Sequence, residues 1–225
     1  MPMNCHVCYW MLCSLICSAF ATSTARGEVL LAFNGKDLSG FYTFVNNEKN
    51  DPEQQVFQVT NEGWLRISGA PRGYLSTDKT LSNYRLRAEF KWGSDDLASD
   101  SGIFFHAVPE DRLWSKSLEV QMRAGATGDL CLIGKGSTMK AHGKQWSKGC
   151  IPRPGKGDPQ AEIEVKRGQW NQVDLTCRGD TVRLTINGKL VLEGTAAAPN
   201  SGRIYFQSFN GELFYRKIEF HSLTD

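Results

Sequence analysis

Residues Thr181–Gly194 read TVRLTINGKLVLEG, and the fold follows from how that stretch must bend. Val182, Leu184 and Ile186 alternate with polar residues, the period-2 pattern of a strand with one buried face. Asn187 and Gly188 then supply the two positive φ angles of a type I′ turn, so Thr181–Ile186 and Lys189–Glu193 are expected to pair as a hairpin. The same grammar continues in both directions. Short alternating or β-branched runs bounded by Gly, Asn, Asp or Pro predict further strands at 56–60, 64–68, 73–77, 84–92, 102–108, 118–123, 130–133, 162–165, 171–177, 203–209 and 214–220. No stretch has a convincing helical period. Roughly a dozen strands imply two stacked sheets, so the chain is read as all-β, a two-sheet antiparallel β-sandwich of jelly-roll type in one domain over 28–225.

Composition narrows the function. Of 225 residues, 40% are hydrophobic and 22% charged, the balance of a globular chain with a sizeable core. Twenty-six basic residues against 24 acidic ones leave a formal charge of +2, which gives no electrostatic footprint for nucleic acid and suits a neutral substrate better. Residues 1–27 stand apart. The run CYWMLCSLICSAFATSTA carries no Lys, Arg, Asp or Glu and ends in small residues, which reads as a secretory leader cleaved after Ala25 or Ala21. The mature domain is then exported, periplasmic or extracellular, with no integral membrane association. A membrane anchor is the alternative, although the run falls short of the ~20 residues a spanning helix needs; a lipid on Cys17 is a further one.

Cys5, Cys8, Cys13 and Cys17 leave with the leader, so Cys131, Cys150 and Cys177 allow at most one disulfide. Cys131 with Cys150 is the pairing to test, against three unpaired thiols. His106, His142 and His221 lie far apart and no Cys or His pair has ligand spacing, so no metal site is indicated, although a divalent cation acting as electrophile is left open. Two motifs have plain readings. Arg178-Gly179-Asp180 joins two strands and reads as a tight turn, and GKGST at Gly134–Thr138 lacks both the first glycine and the following helix of a phosphate loop. The segment 134–159 is long, irregular and basic; Trp146 argues for packing there, and its Gly and Lys content for mobility.

The chemistry concentrates in SLEVQMR, Ser117–Arg123. Leu118, Val120 and Met122 should face the core, leaving Glu119, Gln121 and Arg123 together on the other side. The preceding strand, SDSGIFFHAV, places Asp100, Gly102, Phe104 and His106 on one face. Pairing symmetric about the connection PEDRLWSK sets His106 opposite Glu119, Phe104 opposite Gln121 and Gly102 opposite Arg123. The result is either a solvated sheet face or a concave carbohydrate site with Trp114 as an aromatic platform.

The chain resembles the 3-keto-disaccharide hydrolase family. The resemblance rests on LAFNGKDLSGF, YLSTDKTLSNYRLRAEFKW, SDSGIFFHAV, WSKSLEVQMRAGATGDLCLIG, GQWNQVDLTCRGDTVRLTINGKLV and GRIYFQSFNGELFYRKIEF, in that order. It implies a concanavalin A-like lectin/glucanase fold, with the family's Glu and Gln on Glu119 and Gln121, its strand-end His or Arg on His106, and its Gly-Asp pair on Gly128 and Asp129. Its later Gln falls on Gln207 and its Arg on Arg216. Where relatives often have Ser-Glu, this chain has Ser208 and Phe209. Retaining glucanases of this fold carry E-x-D-x-E on the catalytic strand, whereas Glu119–Arg123 reads E-x-Q-x-R, so a two-carboxylate glycosidase mechanism is disfavoured.

The resemblance also implies an oxidised substrate. A ketone at C3 acidifies the C2 proton, so one base can remove it and expel the C1 substituent. Glu119 or His106 is expected as base with the other as acid, Gln121 and Arg123 at the enolate, and Asp100, Trp114, Asp129 and Gln207 around the sugar. The rival is a non-catalytic carbohydrate-binding module, since the same sandwich serves lectins. A surface-adhesion role rests on the leader alone.

Overall fold

A computed structural model describes residues 27–50, 55–93, 98–123, 127–157, 163 and 168–224. The expected leader and most of the strand expected at 162–165 lie outside the described residues. No helix occurs among the described residues, and eighteen strands form two antiparallel sheets, as the sequence grammar requires. The larger sheet runs β12 (Lys144–Trp146), β11 (Thr138–Ala141), β16 (Lys189–Ala198), β15 (Thr181–Ile186), β14 (Asn171–Arg178), β7 (Tyr84–Trp92), β18 (Leu213–Ser222), β5 (Leu65–Ile67), β4 (Phe57–Val59), with β1 (Val29–Ala32) also on β18. The smaller runs β13 (Gly149–Ile151), β10 (Leu130–Ile133), β9 (Ser117–Arg123), β8 (Asp100–Ala107), β17 (Arg203–Ser208), β6 (Gly73–Thr77), β2 (Phe41–Val45), β3 (Glu48–Lys49).

The opening hairpin forms as read: Ile186 pairs with Lys189, and Asn187 and Gly188 have φ of 49° and 75°. Gly179 and Asp180 form the turn between β14 and β15. The core lies between the sheets because alternation sends every second side chain there. On β7, Tyr84, Leu86, Ala88, Phe90 and Trp92 are buried while the residues between them are not. Ile103, Phe105, Leu118, Val120 and Met122 meet them from the smaller sheet.

Two expectations need correction. The segment 134–159 is not irregular throughout: it supplies β11, β12 and β13. Trp146 packs against the core, donates Nε1–H to the Ala141 carbonyl at 3.2 Å, and carries the Lys144 ammonium over its ring. Alternation there is too brief to read from sequence, because strands of three or four residues show at most two repeats. The β8–β9 register is also shifted by two residues: Glu119 pairs with Phe104, Gln121 with Gly102 and Arg123 with Asp100. A shift of two preserves faces, so the polar side keeps its residues but changes its neighbours.

Candidate active site

β8 and β9 are buried along almost their whole length, not only on alternate residues. Their polar face is therefore no solvent-washed surface. It is the side of the smaller sheet turned away from the core, called the concave face below, and it is covered and built in rows that cross-strand pairing lines up. One row runs Tyr205, Phe104, Glu119, Cys131 and Cys150; the next includes Phe44, Tyr74 and Gln207 on one flank and Gly102 and Gln121 on the other.

Glu119 sits in the middle. It is only 5% exposed, and its carboxylate lies over Gly102, where a Cβ would collide with Oε1. Glycine is needed there for space, since any side chain would occupy the position of the carboxylate. No described residue donates a hydrogen bond to it. Burial first, and the nearby Asp100 charge second, push its carboxyl up from the usual 4.5 to about 8, because a dry environment penalises the charged form.

Asp100 is the second carboxyl of the pair. It stands two residues from Gly102 along β8, a Cα separation of roughly 6.8 Å at the usual rise. Burial raises its pKa, while the Arg123 charge and the Gln121 amide oppose the rise. Gln121 Nε2 donates to Asp100 Oδ1 at 2.6 Å and to the Ser101 carbonyl at 3.2 Å. The amide therefore orients Asp100, and its hydrogens are already committed. The absence of a second carboxylate on β9 does not leave Glu119 alone, since β8 contributes one from the side.

His106 is not in the site. The pairing of β8 with β17 gains one residue between Tyr205–Phe104 and Arg203–Ala107, and His106 takes φ of 53° within that interval. Such a β-bulge reverses the alternation. Ala107 joins Phe104 on the concave face, while the His106 ring lies against Tyr84 of the opposite sheet with Nδ1 3.0 Å from the Pro199 carbonyl oxygen. Burial lowers its pKa to about 4, the Pro199 contact opposing only in part. It is a neutral core residue.

The remaining predicted residues divide. Gln207 pairs with Tyr74 on the same face as Glu119, and no described residue hydrogen-bonds its side-chain amide. Trp114 is 45% exposed and its ring meets Phe104 and Phe209, each at 6.0 Å between centroids. It thus forms a wall over Phe104, one residue pair from Glu119. Arg123 is exposed at the end of β9. Asp129 is buried and engaged elsewhere: its carboxylate accepts from the Arg153 backbone N–H at 3.0 Å and pairs with the Lys156 ammonium. Arg216 lies on the outer face of the other sheet, paired with Glu89 at 2.6 Å.

Sequence reasoning missed the aromatic floor. Tyr74 stacks on Tyr205 at 4.0 Å and 4°, and on Phe44 at 5.2 Å. Asp111, in the connection that carries Trp114, accepts from the Tyr42 hydroxyl at 2.6 Å and the Tyr74 hydroxyl at 3.3 Å. Arg203 Nη1 donates to the Tyr42 oxygen at 2.7 Å. These bonds pin the Trp114 loop to the sheet. The alternation of Tyr205 with Gln207 on β17 was the available signal. Among the described residues no three His, Cys, Asp or Glu groups are gathered as a metal would need, and no helix is long and apolar enough to cross a membrane.

Solved structures share the architecture at identities that speak for fold alone. A protein from Parabacteroides distasonis assigned to the glycosyl hydrolases is 16% identical, with 85% of this chain and 92% of that chain covered and a TM-score of 0.60. The β-glucanase of Bacillus licheniformis is 12% identical, with 89% and 100% covered and a TM-score of 0.56. The carbohydrate binding module CBM66 from Bacillus subtilis is 8% identical, with 81% and 96% covered and a TM-score of 0.56. No curated protein matches the chain. The sequence model of the 3-keto-disaccharide hydrolases, described as a 3-keto-alpha-glucoside-1,2-lyase-like domain, matches residues 29–221, and the chain belongs to that family.

Proposed function

We propose that the protein is a carbohydrate-active enzyme that cleaves 3-keto-glycosides by elimination and rehydration. Family membership supports action on carbohydrate. The observation that carries the chemistry is the pair Glu119 and Asp100, two carboxyls on one face, each with its pKa raised by burial and that of Glu119 raised further by the Asp100 charge. Like charges held close in a dry site cannot both ionise easily, so the pair keeps one proton near neutrality. That proton rests on Glu119, to which no described residue donates a hydrogen bond, and Asp100 is the ionised member, oriented by Gln121. Environments that push two carboxyls apart assign acid and base.

Asp100 removes the proton at C2, whose acidity the C3 ketone provides. The C–H electrons form the C1–C2 double bond as the C1–O bond breaks, and Glu119 protonates the departing oxygen. The Gln207 amide is available to the C3 oxygen, where negative charge develops. In the second half Glu119, now ionised, takes a proton from water as its oxygen adds to C1, and Asp100 returns a proton to C2. Both carboxyls end as they began.

The test is incubation of the purified protein with 3-keto-trehalose or a 3-keto-glucoside beside the unoxidised sugar. Release of product from the keto compound alone is expected; equal cleavage of the unoxidised sugar would refute the elimination route. Binding of both without turnover would favour the binding-module reading, which the CBM66 likeness keeps in view. Export of the domain is proposed on the leader, and detection of a mature chain lacking the first 21 to 27 residues outside the cytoplasm tests it.

A further inference from the structure

The disulfide between Cys131 and Cys150 occupies a place that cross-linking alone does not require. Cys131 is the cross-strand partner of Glu119, and Cys150 is the partner of Cys131 on β13. The flanking Leu130, Leu132 and Ile151 point into the core, so both sulfurs lie on the concave face, in the row of the Glu119 carboxylate. Cys131 is buried and Cys150 exposed, so the bridge runs from beside Glu119 to the rim. Cys131 Sγ is 3.6 Å from Gln121 Oε1, on the amide that holds Asp100. β13 itself is an edge strand of three residues with a single neighbour, and such a short edge has little backbone pairing to hold it.

We propose that the Cys131–Cys150 disulfide is a positioning element of the site: it closes the β10 side of Glu119 against water and braces the Gln121 amide that orients Asp100. The inference uses the acid and base roles of the proposed function. Among the described residues, the charged groups that the strand pairing sets near Glu119 are Asp100 on β8 and Arg123 on β9, with the Asp129–Lys156 pair beyond Gln121; Tyr205 faces it from β17 across Phe104. Removing the bridge by the double substitution changes none of these charges, and in the reduced wild type the two thiols stay neutral below their ordinary pKa of about 8.5, so the titrations are compared below that pH. A change in the titration of Glu119 therefore reports the entry of water at the wall.

The experiment uses the full chain in three forms: oxidised, Cys131→Ala/Cys150→Ala, and wild type treated with dithiothreitol, whose two thiols close to a cyclic disulfide as the two cysteines become thiols. Carbon-13 NMR of protein labelled at the glutamate carboxyl carbons follows Glu119, its resonance identified by its loss in Glu119→Gln. Turnover of a 3-keto-glucoside is measured across pH in parallel. Both bridgeless forms should titrate Glu119 at least one pH unit lower with an unchanged circular dichroism spectrum. The protonated fraction above the midpoint, and turnover with it, should fall up to about tenfold per unit. The same Glu119 midpoint in folded bridged and bridgeless protein overturns the proposal. If the double variant does not fold, the reduced wild type and Cys150→Ala decide the question. A shifted midpoint without turnover in any form counts against the proposed reaction and leaves the role of the bridge standing.

Discussion

Replacing Glu119 by Gln removes a carboxyl while keeping the shape that fills the space over Gly102, so it separates charge from packing. In the folded protein burial, and after it the Asp100 charge, push the carboxyl up to about 8 from a usual 4.5. Folded protein therefore binds more protons than unfolded chain between those values, and stability falls as pH rises through that window. Holding a carboxyl that far above its usual value corresponds to at most about 5 kcal/mol, at ~1.4 kcal/mol for each tenfold change in proton affinity. The amide in Glu119→Gln cannot ionise, so the variant does not incur this loss. Urea denaturation at pH 5 and at pH 9 is the assay. At pH 5 the variant should match the wild type or fall slightly below it, and at pH 9 it should be the more stable by several kcal/mol, with turnover of a 3-keto-glucoside reduced by about 10² to 10⁴. A stability difference independent of pH would refute the burial argument, and unchanged turnover would refute the role of Glu119.

Gly102→Ala places a methyl where the Glu119 carboxylate lies; displacement of that flexible end should lower kcat at least about tenfold with a small change in denaturation midpoint, and an unaltered kcat would mean the carboxylate works from another position. His106→Gln should destabilise the fold by about 1 to 3 kcal/mol through the lost core ring and its Pro199 contact, while the pH profile of turnover keeps its shape. A lost basic limb in that profile would return His106 to the mechanism. Trp114→Ala removes the exposed wall beside Phe104 and should raise KM several-fold with kcat nearly constant, as loss of uniform binding does; a fall in kcat alone would place the ring in the reaction itself.

Much of the fold was legible because it depends on local rules. Asn187-Gly188 dictates its hairpin, and alternation along Tyr84–Trp92 names the core side without any knowledge of the partner strand. The site was half legible for the same reason. Glu119, Gln121, Asp100 and Gln207 keep the faces that their strand positions require, and Cys131 with Cys150 proved to be the paired cysteines, with Cys177 buried and unpaired. Asp129 and Arg216, carried over by motif, went astray because motif position says nothing about which pairing a charged group already has.

Sequence by itself determined the period of each strand, the turns between them, and thus two sheets with Glu119 on a polar face. The tertiary structure decided register, the bulge at His106 and what covers the polar face. These depend on contacts between residues distant in the chain: one extra residue in β8 opposite β17 turns His106 into the core. Folding the Trp114 connection back onto Tyr42 and Tyr74 through Asp111 helps cover an otherwise open sheet face. Burial at that depth is a property of the whole assembly, and it is burial first that raises the pKa of Glu119.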